Sequence, residues 1–382
     1  MTRKALKWFF TGSTSRDIFF VLVVMITCMV LVILPTGFED RIEKVDEHVH
    51  GEVISVDNST VLQFGLVRSG TQVLEIRILE GSQKGRIVEA VNNLTGKMEL
   101  DKYFEVGDRA LVDLTINGDR ATFANAADHY RIDVEIVLLG LFALLLILFG
   151  GFTGFKALLS FGFTGLALWK ILIPLFLKGI DPILVSFSVV TLLTSVIIFL
   201  VGGINRKGLV AFLGAMLGLG LTCILSLVFS GPFHLHGAVK PFSETLLYSG
   251  FAHLNLTRIF LASIFLASSG AVMDLSMDIA SALHEIMEHH PGITTMKLMR
   301  SGMIVGRMVI GTMTTTLLLA YSASYITMLM VFMGQGIPMV NILNLNYVAA
   351  EMLHTLVGSF GLVTVAPFTA VIGAVLYTRH RV

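Results

Sequence analysis

Eight apolar runs, each near the length of a bilayer-spanning helix, pattern most of the chain: 18–36, 134–151, 157–177, 182–201, 209–230, 259–278, 303–333 and 353–377. At a rise of about 1.5 Å per residue, about twenty residues cross a hydrocarbon core roughly 30 Å thick, so each run predicts a transmembrane helix. Residues 38–133 follow a different rhythm. "HGEVISV", "TQVLEIRIL", "RIVEAV" and "DRALVDLTI" are short and β-rich, several with alternating apolar positions. "NNLTG", "VGD" and "NGD" punctuate them as turns. Together they predict a compact domain of about six strands.

The expected fold is therefore an all-α polytopic membrane domain of about eight transmembrane helices, with a small β-barrel or sandwich inserted after the first helix. Residues 1–37 hold an N-terminal segment and a signal-anchor helix, 38–133 the β-domain, and 134–382 a seven-helix transmembrane domain. The first run ends in "LPTGFED" with no small-residue cleavage site, so it is read as an uncleaved anchor. The β-domain is similar to OB-like modules. One internal echo stands out: "LILFGGFTGFKALLSFG" (146–162) and "IFLVGGINRKGLVAFLG" (198–214) align as two helical hairpins with Gly-Gly corners, or as two unrelated hydrophobic hairpins.

Composition agrees with the pattern. The chain is 54% hydrophobic and 14% charged, with a mean hydropathy of +0.81, more apolar surface than a soluble protein can hide. A net charge of zero gives no nucleic-acid footprint. Residues 38–133 carry 18 of the 27 acids and 11 of the 27 bases, an excess of seven negative charges that argues against an anionic ligand there. Basic residues fix the orientation. Arg3, Lys4, Lys7, Arg16, Lys156, Arg206, Lys207, Lys297, Arg300, Arg379 and Arg381 fall on one side of eight spans, against Lys178, Lys240 and Arg258 on the other. Both termini are thus expected in the cytoplasm, with 38–133 outside. Cys28 and Cys223 each lie in an apolar run and read as small buried side chains rather than a disulfide.

Polar residues inside the apolar runs carry the candidate chemistry. After "IFLASIFLASSGAVM", Asp274 and Asp278 share a helix face, and Arg307 stands at a similar depth on the next, antiparallel helix. Charges in lipid are costly, so one or both aspartates are expected to face Arg307, as a packing ion pair or as part of an ion or proton path. Arg258 and Glu351 open their spans at the opposite end and share a depth there. Thr312, Thr314, Thr315 and Thr316 could line a hydrated path or bond to carbonyls one turn back. Gly302 and Gly306, four apart, let another backbone approach closely. Asn344, within "GQGIPMVNILNLNYVAAE", marks a re-entrant or interfacial segment, or a plain loop. Lys170, inside the third run, could snorkel outward. "HEIMEHH" pairs His284 with Glu288 and Glu285 with His289 at helical spacing, which suits a solvated helix end. No P-loop, dinucleotide fingerprint or nucleophile elbow occurs, so neither a cofactor nor an enzyme activity is expected.

At "GAVMDLSMDIASALHEI" and "LMRSGMIVGRMVIGTMTTTLLLAY" the chain resembles the YibE/F-like family of bacterial multispanning membrane proteins. The resemblance implies a bacterial inner-membrane location. An acidic residue often follows the arginine in that family and an asparagine often sits among the threonines; this chain has Met308 and Thr315 at those places. The expected function is a secondary transporter or channel-like permease for a small solute or ion, built on Asp274, Asp278 and Arg307. The alternative is a membrane scaffold or sensor whose β-domain binds a protein partner.

Overall fold

The computed structural model describes residues 15–41, 45–117 and 120–379. Arg3, Lys4, Lys7 and Arg381, used above for orientation, lie outside the described residues, as does the Gly118–Asp119 part of the "NGD" turn. The chain divides into two compact units, Met1–Phe38 with Leu146–Val382, and Glu39–Leu145.

The second unit holds the β-domain. Its strands are β1 (Glu47–Asp57), β2 (Leu62–Phe64), β3 (Val67–Ile78), β4 (Ile87–Thr95), β5 (Arg109–Asn117) and β6 (Arg120–His129). Strand β1 pairs antiparallel with both β5 and β3, so the ring β1-β5-β6-β4-β3 closes on itself. A sandwich is thereby excluded in favour of a five-stranded barrel, and β2 only extends β3 as a hairpin. Alternation explains the filling. Val49 and Val53 of β1, Leu74, Ile76 and Ile78 of β3, and Ala110, Val112 and Leu114 of β5 point inward at period two. Gly51 is required where β1 crosses β3, because a Cβ there would lie 2.8 Å from the Arg77 carbonyl oxygen. Gln72 and Asn92 are fully buried, and their amide nitrogens are bonded: the Gln72 amide donates to the Phe104 carbonyl at 3.1 Å, and Asn92 donates to Gln72 at 2.9 Å and to the Lys102 carbonyl at 2.7 Å. The ring is weakest between β4 and β6, which share a single register pair, Val91 with Asn125.

Among the described residues, seven helices are long and apolar enough to cross a membrane: α1 (Ser15–Ile33), α2 (Ile132–Leu177), α3 (Pro182–Gly202), α4 (Arg206–Ser230), α5 (Leu256–His289), α6 (Thr295–Ser322) and, last of them, Asn346–Thr378. Between α6 and the last helix lie two short ones, α7 (Ile326–Gly334) and α8 (Met339–Asn344), so the last is α9.

Two sequence boundaries shift. The runs at 134–151 and 157–177 fall in one 46-residue element, α2, which would measure about 69 Å if straight. It is not straight. Gly151 breaks it with φ 53° and ψ −131°, a conformation outside the helical region that glycine alone adopts without strain. The aligned corner of the internal echo, Gly203, also has positive φ, 85°. The run expected over 303–333 instead begins at Thr295 and stops at Ser322, where a 3-10 turn, Ala323–Tyr325, leads into α7. Apolar windows miss the polar first turn with Lys297, and short hydroxyl side chains compete for backbone hydrogen bonds at the far end. The segment around Asn344 is helical in part and not a plain loop: α7 and α8 are joined through Gly336, at φ 68°.

Helix α9 is the hub of the helical unit and packs against α4, α5 and α6. Small residues set its distances. Gly214 of α4 faces Thr369, Gly361 of α9 faces Thr222, and Gly302 and Gly306 of α6 face Ala370 and Ala366. The expected close approach at Gly302 and Gly306 is therefore real, and its partner is α9 together with Leu283 and Ile279 of α5. Cys28 and Cys223 are both free thiols. The Lys170 ammonium donates to the Leu34 carbonyl at 2.9 Å, just past the end of α1, where cations suit the helix dipole.

Candidate functional site

The polar residues that the fold gathers are not the ones the sequence suggests first. Asp274 and Asp278 lie on α5, whose buried face carries Leu275, Ser276, Ile279, Ala280 and Leu283. Each aspartate directly precedes a buried residue, so each is turned off the packed face, and both are exposed. Arg307 follows Gly306, about 100° further round α6, and is exposed as well. Among the described residues no ion pair joins Arg307 to either aspartate, so the expected intrachain Asp/Arg pair on these helices is not formed. The charge that bears on Asp274 is the like charge of Asp278.

The threonines resolve toward the backbone reading. Thr312 donates to the Val309 carbonyl at 3.0 Å, Thr314 to Ile310 at 2.8 Å and Thr316 to Thr312 at 3.0 Å. Thr312, Thr315 and Thr316 are exposed on α6. Asn344 likewise turns back, its amide donating to the Val340 carbonyl at 2.8 Å. His284–Glu288 and His289–Glu285 pair at 3.4 and 3.5 Å, as the spacing predicts, on an exposed helix end.

Arg258 and Glu351 each find a partner, though not each other. Asn255 caps α5 by accepting from the Arg258 backbone amide at 3.0 Å, which sets the arginine at the helix start. Its guanidinium meets Asp181 at 2.5 Å, and Asp181 in turn caps α3 by accepting from the amides of Ile183 and Leu184.

Glu351 is the centre of a denser group. Lys240, from the segment between α4 and α5, donates to its Oε1. His354, three residues on and therefore on the same face of α9, brings Nδ1 to 3.6 Å from Oε2. The Glu351 side chain is 15% exposed and that of His354 9%, so this charge is held largely away from water. Aromatic rings wall it. Tyr321, from the last turn of α6, stacks on the imidazole at 4.6 Å, and Phe260 of α5 meets it edge-on at 6.5 Å. The Lys240 ammonium also lies 5.7 Å from the Phe260 ring centre, a cation–π distance. Tyr325 places its hydroxyl near Glu351 and Thr355.

Neither ring nitrogen of His354 has a hydrogen-bond partner among the described residues. A buried donor or acceptor left unmade costs about 1–3 kcal/mol, so the packing alone does not favour a histidine here. Chemically the group can take up or release a proton at the imidazole or carboxylate, and a cation could displace the Lys240 ammonium. Sequence reasoning singled out Glu351 but missed Lys240, His354 and Tyr325 as its neighbours. The signal for His354 was present in "EMLH", a carboxylate and an imidazole one helical turn apart.

Residues 138–379 match the model of the YibE/F-like protein family, and residues 45–128 match the YibE/F family N-terminal domain. The first match alone covers more than half of the chain. The chain belongs to the YibE/F-like family. Its two matched regions correspond to the helical bundle and to the β-barrel, so both parts of the fold are family features. No curated protein and no solved structure matches the chain.

Proposed function

We propose that this YibE/F-like protein is a secondary transporter or channel-like permease of the bacterial cytoplasmic membrane, and that the Lys240–Glu351–His354 group is where its small solute or ion engages. In this reading α2 crosses the bilayer twice, turning at Gly151, which gives eight crossings, cytoplasmic termini and an extracytoplasmic barrel. The residues expected to form the switch, Asp274, Asp278 and Arg307, give way to Glu351 and its neighbours.

One observation supports the reading: a carboxylate and an imidazole without a hydrogen bond are held side by side inside an apolar bundle, with the Lys240 ammonium as the one cation paired to the carboxylate among the described residues. Ionisable groups kept at such cost mark ion or substrate pathways in membrane proteins. The test is a melting screen of the purified protein against inorganic ions and small metabolites, run on the parent, Glu351→Gln and His354→Gln. A true ligand raises the melting temperature of the parent and not of the variants. If every ligand that stabilises the parent stabilises both variants equally, the site is elsewhere.

A second reading, a scaffold or sensor, draws on the barrel. A groove of about 940 Å³ runs along the thinly paired β4–β6 seam, lined by Arg86, Ile87, Glu89, Val91 and Phe123 among others. Ile87 and Phe123 are more than half exposed there, which suits a protein partner. Removal of that face by Phe123→Asp would abolish partner capture and leave ligand-dependent melting intact.

A further inference from the structure

Three charges fall inside the apolar runs 259–278 and 303–333. Asp274, Asp278 and Arg307 have no ion-pair partner among the described residues, and all three are exposed on the helical unit. Around them α5 shows a narrow open stripe of Ala267, Gly270, Asp274 and Asp278, while its other faces are packed. Helix α6 shows Ile304, Met308 and Gly311, with nothing within 4 Å of where a Gly311 Cβ would stand. If these helices span a bilayer, as proposed above, unpaired charges on an open face are costly and call for a partner.

Depth says which partner. A Gly306 Cβ would lie 3.3 Å from Ile279, so the two helices touch at that level. Arg307 and Asp278 are the sequence neighbours of those two residues and share the level while pointing off the contact. In a membrane dimer whose two-fold axis lies along the bilayer normal, every residue keeps its own depth. Opposite charges can then meet across the axis only if they already share a depth within one chain. These do, and their signs are complementary. We propose that the α5/α6 face docks a second copy of this chain, with Arg307 of each copy set against Asp278 and Asp274 of the other. The open Gly270 and Gly311 would let the helices approach closely.

The proposal rests on the membrane reading and not on transport. Its test uses full-length protein in membranes. Two differently tagged forms, both with Cys28→Ser and Cys223→Ser, are co-expressed, one carrying Asp278→Cys and the other Arg307→Cys, and a short thiol cross-linker is added. A product bearing both tags is expected, and none when Arg307→Cys is paired with Leu217→Cys on the exposed side of α4. In lipid nanodiscs, Arg307→Asp alone should weaken self-association by about tenfold, and Arg307→Asp with Asp278→Arg should restore it. Monomers throughout, cross-links to α4 as readily as to α5, a cross-link to a different protein instead, or no rescue by the double exchange would each overturn the proposal. Ligand-dependent melting in a monomeric protein would overturn the dimer and leave the transport reading in place.

Discussion

His354 is the residue at which stability and function separate. Its ring is buried against Tyr321 and Phe260, and neither nitrogen is hydrogen-bonded among the described residues. His354→Phe keeps the stacking and removes the orphaned nitrogens, so thermal unfolding in detergent should show a stability unchanged or raised by up to about 1–2 kcal/mol, while ligand-dependent stabilisation is lost. The Lys240–Glu351 pair is asymmetric in the same way. Lys240 is 36% exposed at its side chain and can turn to water if Glu351 is removed, whereas the Glu351 carboxylate, 15% exposed, cannot. Lys240→Met should therefore cost about 1–3 kcal/mol and Glu351→Gln less, measured by the same melt. In the barrel, Asp101 accepts from the backbone amides of Thr95 at 2.8 Å and Gly96 at 2.7 Å, and the Thr95 bond holds its carboxyl below the ordinary aspartate range. A lowered folded-state value means that this contribution is present above the ordinary aspartate range and disappears as pH falls through the folded value. Hydrogen exchange at Thr95 and Gly96 should accelerate with acid in the parent, and be insensitive to pH over that window in Asp101→Asn once the intrinsic rate is divided out.

At the scale of elements, glycines decide which helices touch. A Cβ on Gly306 would lie 2.7 Å from that of Ala366, whereas one on Gly311 meets nothing. Gly306→Val should destabilise by about 1–3 kcal/mol and Gly311→Ala should be neutral or slightly stabilising, read from chemical or thermal unfolding of monomeric protein in detergent. The break in α2 gives a second contrast. Gly151→Val forces a β-branched residue to positive φ and should cost about 1–3 kcal/mol, while Gly150→Ala meets open space and should be near neutral. The phase of α5 also explains why the intrachain Asp/Arg pair failed. Leu275, Ile279 and Leu283 mark the buried stripe, and Asp274 and Asp278 sit one position before it. Depth along a helix was readable, but azimuth needed that apolar phase as well.

For the whole molecule, what was legible was local. Run length and hydropathy located the seven long helices of the described residues, and alternation located β1, β3, β4 and β5 though not β2 or β6, because both signals live within one segment. Barrel closure was not legible, since β1 chooses β3 and β5 through long-range pairing. Nor was the site, because Lys240 and Glu351 stand 111 residues apart and meet only once α9 has packed into the bundle. The central claim is that Glu351 and His354, held by that packing, engage the solute. The most direct measurement is flux in vesicles reconstituted with purified protein, under an imposed pH gradient, for the panel of ions and metabolites found by melting. Parent protein should give solute-dependent flux or a change in lumenal pH, and Glu351→Gln vesicles with the same amount of folded protein should give neither. Equal flux in parent and Glu351→Gln would contradict the account.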